Sequence, residues 1–125
     1  MRSKLVLMAA TILLCLAAPL QAQDTPVMRV IVVQTDSPAA YIKEVLETGQ
    51  AHLKRLEGVG NLRIWRAKFA GSNAGSIVIS IEYPSLAALA VDDKKLAADA
   101  AFTAWVRSLD KMRKIVSDSL YSEAR

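Results

Sequence analysis

Few residues of this sequence have types and spacing suited to chemistry. His52 is the only histidine, and its imidazole could act as a general base or a haem ligand because it exchanges a proton near neutral pH. Arg66 could bind a substrate carboxylate. It could instead pair with Glu82 across the hairpin that the strands at 61–69 and 76–83 are predicted to form. His52 precedes the inward-facing Leu53, which equally suits a residue at the edge of a core. We therefore take His52, Trp65 and Arg66 as the candidate catalytic residues.

The aromatic residues favour ligand binding over catalysis. Trp65, Phe102 and Trp105 could line an apolar pocket, although aromatic residues at this spacing also build ordinary cores. The sequence contains no glycine-rich phosphate loop, no nucleophile elbow and no Cys/His zinc pattern. The aspartates between positions 92 and 99 lack the spacing of a metal-binding loop. We therefore predict neither a metal nor a cofactor.

The first 22 residues have the pattern of a secretory signal peptide. A basic start, Arg2 and Lys4, precedes an apolar run at positions 5–18 that is too short for a membrane span, and the segment ends in a small residue. The only cysteine, Cys15, lies here without the small residue before it that a lipoprotein signal requires. We expect a periplasmic or secreted protein with no thiol and no stable membrane span after the signal is removed.

The remaining residues, 23–125, are expected to form one domain. They carry 14 Lys and Arg residues against 12 Asp and Glu residues, a net charge of +2. Their basic residues are spread along the chain rather than gathered in one stripe, which argues against nucleic-acid binding. A domain of this size buries a modest core and gains stability when a partner covers its sheet.

Apolar periodicity predicts the element order β-α-β-β-α-α-β. The strands at 29–35 and 76–83 carry nearly continuous apolar runs at 30–33 and 77–81, on both alternating faces, which is typical of central strands. Those at 61–69 and 113–122 mix polar and apolar residues like edge strands. This pattern fits an α+β fold: a ferredoxin-like, four-stranded antiparallel sheet in the order 4-1-3-2 with its helices on one face.

Short polar residues and glycines mark the expected helix boundaries. Ser37, Ser85 and Asp99 are predicted N-caps, and the last of these divides the second helical region into two helices. Gly58 is predicted to end the first helix, and Gly49 to let that helix approach the sheet closely.

The helices of such a fold leave the other face of the sheet exposed. An exposed apolar face usually marks an interface, so we expect a homodimer formed through this face, with Ile79 in the interface.

Two segments carry a resemblance to a known family: FAGSNAG at 69–75 and IEYPSLAAL at 81–89. With the rest of the chain after the signal, they resemble the dimeric α+β barrel superfamily, which includes NIPSNAP-like and antibiotic-biosynthesis-monooxygenase-like proteins. The resemblance implies protomers that pair their sheets face to face. It also implies a pocket between sheet and helices, which oxygenase and haem-degrading members line with Asn, Trp and His. Asn61 and Asn73 do not match that asparagine, because they fall at a strand start and in a turn.

Two function classes follow from these observations. The first is an exported module that binds a small apolar or aromatic molecule, or that has a purely structural role. The second is a cofactor-independent monooxygenase, or a related enzyme, that uses the cavity between sheet and helices. An enzyme needs a polar group directed into that cavity, whereas a binding module does not.

Overall fold

The computed structural model describes residues 25–69 and 71–125, so the predicted signal peptide lies outside the described residues. In this part of the chain four strands form one antiparallel sheet in the order β2-β3-β1-β4. Read from the opposite edge, this is the predicted order 4-1-3-2. The prediction that the first and third strands are central is also confirmed. The strands are β1 (Val27–Gln34), β2 (Asn61–Arg66), β3 (Ile77–Tyr83) and β4 (Lys114–Ser122).

The helices follow the predicted order. The first helical region has a π-helical turn, Val45–Gly49, between two α-helical segments, and the second divides at Asp99 as predicted. None of the helices in the described part of the chain is long and apolar enough to cross a membrane. The α-helices are α1 (Pro38–Glu44), α2 (Gln50–Arg55), α3 (Leu86–Ala98) and α4 (Ala100–Leu109).

Two of the three predicted N-caps have the expected hydrogen bonds. Ser85 Oγ accepts from the backbone N–H of Ala88 at 3.1 Å, and Asp99 Oδ1 accepts from that of Phe102 at 2.8 Å. Each bond satisfies one N–H group that the first turn of a helix leaves without a partner. Ser37 occupies the N-cap position of α1, but its side chain makes no capping hydrogen bond. A proline opens α1 instead, and it has no N–H group to satisfy.

The residue that turns the chain out of α2 is Glu57, not Gly58. Glu57 has a φ of 53°, the only positive φ among the described non-glycine residues. The backbone N–H of Gly58 donates to the carbonyl of Leu53 at 2.9 Å. A Cβ atom on Gly58 would lie 3.1 Å from a carboxylate oxygen of Asp92, so the glycine gives that carboxylate room.

The core lies between the sheet and the helices. Ile79 is 4 % exposed and belongs to this core, so the prediction that it lies on the uncovered face is wrong. Successive side chains of a strand point to opposite faces, so its neighbours Val78 and Ser80 lie on the uncovered face. The buried core residues are Val33, Tyr41, Val45, Ile77, Ile79 and Leu109.

The face opposite the helices has an apolar strip along β1 and includes two exposed aromatic rings, with polar residues such as Arg63, Glu82 and Ser119 beside them. Strand pairing places Trp65 beside Val78, and Tyr121 beside Met28, on this face. Trp65 is 51 % exposed, and Tyr121 is also exposed. The half-buried apolar residues here are Met28, Val30, Val32 and Val78.

Candidate functional site

A cavity of about 450 Å³ lies between the helix-covered face of the sheet and the helices. Its wall is mainly apolar because β1 and β3 turn isoleucines toward the helices while α4 turns its apolar stripe toward the sheet. Prominent lining residues are Ile31, Ile79, Ile81, Phe102, Trp105 and Val106.

The π-helical turn shapes one wall of the cavity. Val45 and Gly49 from this turn line it, and a Cβ atom on Gly49 would lie 3.0 Å from Trp105 Cη2. The indole Nε1 of Trp105 donates to Glu44 Oε1 at 2.9 Å, which holds the ring in place. Gly49 therefore admits a side chain from α4, and the prediction that it brings its helix close to the sheet is wrong. Turns of this type often occur at functional sites.

His52 supports the aromatic wall from outside. Its ring centroid lies 5.7 Å from that of Phe102 and 5.4 Å from that of Trp105, but His52 itself does not line the cavity. His52 Nδ1 lies 2.9 Å from Arg55 Nη2, and arginine has no acceptor, so Nδ1 accepts this hydrogen bond. Arg55 also donates to both carboxylate oxygens of Asp99, at 2.9 and 2.8 Å. The hydrogen bonds and ring packing of His52 thus tie α2 to α4.

Trp65 and Arg66 also lie away from the cavity. Trp65 projects from the uncovered face, where Nε1 donates to Ser80 Oγ at 2.8 Å. Arg66 pairs in register with Ile77 at the end of β2, and it is Arg63 that approaches Glu82, at 4.0 Å, so the predicted pairing of Arg66 with Glu82 is wrong. Of the predicted aromatic pocket residues, Phe102 and Trp105 line the cavity and Trp65 does not.

A charged pair that the sequence did not single out lies in the cavity wall. Arg29 donates from Nε to Asp118 Oδ1 at 2.9 Å and from Nη2 to Oδ2 at 2.6 Å. The bond from Arg29 lowers the pKa of the Asp118 carboxyl and raises that of the guanidinium. The pair joins β1 to β4 across 89 positions of sequence. An arginine in an otherwise apolar central strand was the one signal that could have pointed to it.

A buried phenol forms part of the wall near the other carboxylates. Burial raises the pKa of Tyr83 to about 12, and the negative charges of Asp92 and Asp93 add to the shift. Asp93 lines the cavity with Tyr83, whereas Asp92 lies behind it, 1 % exposed. Asp92 Oδ2 accepts from the backbone N–H groups of Val59 and Gly60 at 2.8 and 3.0 Å. Asp92 thus anchors the loop before β2.

Arg113, in the turn between α4 and β4, is the most deeply buried cation of the wall. Its side chain is 7 % exposed, and Nη1 donates to Tyr41 Oη at 2.9 Å. The guanidinium carbon lies 5.9 Å from the centroid of the Tyr41 ring, within the range of a cation–π contact.

Residues 25–69 and 71–125 contain no group of three or more His, Cys, Asp and Glu residues that could hold a metal ion. The polar groups of the cavity wall include the Arg29–Asp118 pair, the guanidinium of Arg113, the carboxylate of Asp93 and the phenol of Tyr83.

No protein-family model matches the chain. No curated protein matches it either. Several solved structures share its fold. A NIPSNAP family protein from Agrobacterium tumefaciens is 20% identical, with 79% of this chain and 91% of that chain covered and a TM-score of 0.60. An uncharacterized NIPSNAP-like domain protein from Burkholderia xenovorans is 15% identical, with coverages of 82% and 86% and a TM-score of 0.62.

SnoaB from Streptomyces nogalater, a cofactor-independent oxygenase, is 15% identical, with 81% of this chain and 95% of that chain covered and a TM-score of 0.59. The chain thus has the ferredoxin-like α+β fold of NIPSNAP and SnoaB-like proteins, and the predicted resemblance is confirmed at the level of fold.

Proposed function

We propose that this protein binds a small apolar or aromatic molecule in the cavity between its sheet and its helices. The main observation in support of this proposal is the cavity. Its volume of about 450 Å³ lies within the range of small-molecule sites, and its wall is apolar with a few polar groups at defined positions. The rings of Phe102 and Trp105 offer surfaces against which a flat apolar molecule can pack.

The chemistry of the wall favours binding over catalysis. Arg29 and Asp118 form an ion pair with each other, so neither charge is free to act on a substrate. Tyr83, with a pKa of about 12, keeps its proton at neutral pH and is not a base there. His52, Trp65 and Arg66, the residues on which an enzyme was predicted to depend, do not line the cavity.

The alternative function, a cofactor-independent monooxygenase or related enzyme, is favoured by the fold shared with SnoaB. Such an activity consumes molecular oxygen when a substrate is present. An oxygen electrode, used with each molecule that binds the cavity, distinguishes the alternatives: consumption that depends on the cavity supports an oxygenase, and binding without consumption supports the module.

The proposed assembly is a homodimer formed through the uncovered face of the sheet. The exposed ring of Trp65 and the half-buried valines of β1 and β3 form a continuous apolar surface there, which a second copy would remove from water. The proposed location is the periplasm or the exterior, from the signal-like residues 1–22. N-terminal sequencing of the exported protein tests the location, because it reveals whether these residues have been removed.

The cavity is tested with a fluorescent neutral apolar probe, N-phenyl-1-naphthylamine. Ala97 lies in the cavity wall, so Ala97→Trp places a large ring there, whereas Ala87→Trp adds the same ring to an exposed position of α3 outside the wall. We expect the unaltered protein and Ala87→Trp to bind the probe with the same affinity. The affinity of Ala97→Trp should be lower by a factor of about ten or more. Equal binding by both variants would contradict the cavity as the site.

A further inference from the structure

Arg113 is a buried cation without a dedicated counter-ion. Its side chain is 7 % exposed, and its one hydrogen bond within the described residues joins Nη1 to the hydroxyl of Tyr41. Its contact with the ring of Tyr41 is a cation–π interaction. A hydroxyl group and a ring face solvate a guanidinium in part, but they do not neutralise its charge.

The carboxylates near Arg113 do not supply this charge. Asp110 Oδ1 lies 3.8 Å from Nε, beyond hydrogen-bonding distance, and the Asp110 side chain is 67 % exposed, so water screens it. Nε is buried and makes no hydrogen bond within the described residues. The charge of Arg113 helps to lower the pKa of Asp118, but that carboxylate already accepts from Arg29 with both oxygens. A buried charge without a close partner is costly, which makes Arg113 a strong site for an anion.

Arg113 also lies where a ligand can reach it. It lines the cavity between the sheet and the helices, together with the neighbouring Leu109 and Ile115. At a side chain as buried as that of Arg113, the attraction between a guanidinium and an anionic oxygen is stronger than at an exposed surface.

The wall carries charged groups toward both ends of the sheet. Ile115, two residues after Arg113, pairs with Val33 at one end of β1, whereas Tyr83 pairs with Val27 at the other end. Asp93 lies near Tyr83, since its charge contributes to the raised pKa of that phenol. The positive charge of Arg29 also acts on Tyr83 and opposes that shift, but Arg29 is bonded to both carboxylate oxygens of Asp118. Arg113 is therefore the cation of the wall toward which an anionic group is attracted.

We infer that the ligand of this cavity is an apolar acid that contains a ring, with its anionic oxygen on Arg113 and its ring against Phe102 and Trp105. This inference rests on the proposed binding function and adds the chemical class of the ligand. A carboxylate or an ionised phenol supplies the required oxygen, and the apolar body fills the rest of the cavity.

Two probes with the same ring system test the ligand class: 1-naphthoate, which is an anion at neutral pH, and 1-naphthalenemethanol, which is neutral. Isothermal titration calorimetry of the unaltered protein should show binding of the naphthoate about tenfold or more tighter than that of the alcohol, as expected for a hydrogen bond to a charged group. Arg113→Met should remove this preference. Arg107→Met, at an exposed position of α4 outside the cavity wall, should preserve it.

A second measurement does not depend on the folding of a variant. In nuclear magnetic resonance spectra of the unaltered protein, the Arg113 Nε–H signal should shift on addition of the naphthoate and not on addition of the alcohol. A signal that responds to neither probe, or to both alike, would overturn the role of Arg113.

The outcomes separate the inference from the proposed function. If both probes bind equally, or if Arg113→Met retains the preference, the inference is wrong although the cavity binds ligands. If neither naphthalene probe binds, the inference is wrong, and the neutral fluorophore then decides whether the cavity binds apolar molecules at all.

Discussion

Trp65 and Ser80 are joined across β2 and β3 by a hydrogen bond of 2.8 Å, from the indole Nε1 to the serine Oγ. The bond lies on the face of the sheet opposite the helices, so the polar atom of the indole is satisfied while much of its ring remains exposed. A satisfied polar group beneath an exposed aromatic ring suits an interface that must form without leaving a donor unpaired.

The proposed dimer predicts opposite results for adjacent residues of β3. Val78→Asp should convert the dimer to a folded monomer, because the carboxylate lies on the uncovered face and can be hydrated there once the copies separate. Ile79→Asp should unfold the protomer, with a loss of more than about 3 kcal/mol, because it places an unpaired charge in the core. Analytical ultracentrifugation and circular dichroism measure both. A monomeric unaltered protein, or a dimeric Val78→Asp variant, would contradict this interface.

Asp92 is expected to stabilise the fold through the two hydrogen bonds that its Oδ2 accepts. Asp92→Ala leaves the backbone N–H groups of Val59 and Gly60 without their acceptor, and we expect a loss of about 2–4 kcal/mol in the free energy of unfolding. Asp93→Ala, at the next and exposed position of α3, should change stability by less than about 1 kcal/mol. Urea denaturation compares the two variants, and similar losses would show that the buried hydrogen bonds are not responsible.

The bonds between Asp99 and Arg55 predict sensitivity to acid. Hydrogen bonds from Arg55 and from the backbone N–H of Phe102 hold the pKa of Asp99 well below its usual value of 3.8. The stability that this carboxylate adds is therefore present above pH 3.8 and is lost as the pH falls toward the lower folded-state pKa. Asp99→Asn keeps a capping oxygen but removes the charge, so its urea midpoint should fall less than that of the unaltered protein on acidification. If the urea midpoints of the two proteins fall by the same amount on acidification, Asp99 is not the source of the acid sensitivity.

Tyr83 predicts a loss of stability in alkali. Its pKa is raised from 10.0 to about 12, chiefly by burial, so the folded protein retains a proton that the unfolded chain releases between these pH values. Stability should therefore fall as the pH rises above 10.0, and Tyr83→Phe should weaken this dependence. Absorbance titration of the unaltered protein should show one phenol ionising near pH 12. If the Tyr83→Phe variant keeps that late-titrating phenol, the assignment is incorrect.

The sheet order could be predicted from sequence because a strand with a neighbour on each side carries apolar residues on both of its faces. Residues 29–35 and 76–83 are apolar on both alternating faces, as central strands are, and the structure places β1 and β3 at the centre. Ser85 and Asp99 were identifiable as helix caps because a cap acts on N–H groups only two or three residues away.

The face on which each strand residue lies could not be predicted. Because β3 has apolar residues on both of its alternating faces, alternation does not show which of Val78 and Ile79 points toward the helices. The same ambiguity led to Trp65 being grouped with Phe102 and Trp105, although strand pairing places Trp65 on the opposite side of the sheet from them.

The candidate site depends on contacts between residues distant in the chain. The sequence alone determined the elements and their order in the sheet, because local periodicity and capping encode these features. Only the tertiary structure decided that Arg29 meets Asp118 and that Arg113 is buried beside a cavity. The physical reason is that burial and pairing of charges depend on which helix packs against which strand, and no local pattern of residues specifies that arrangement.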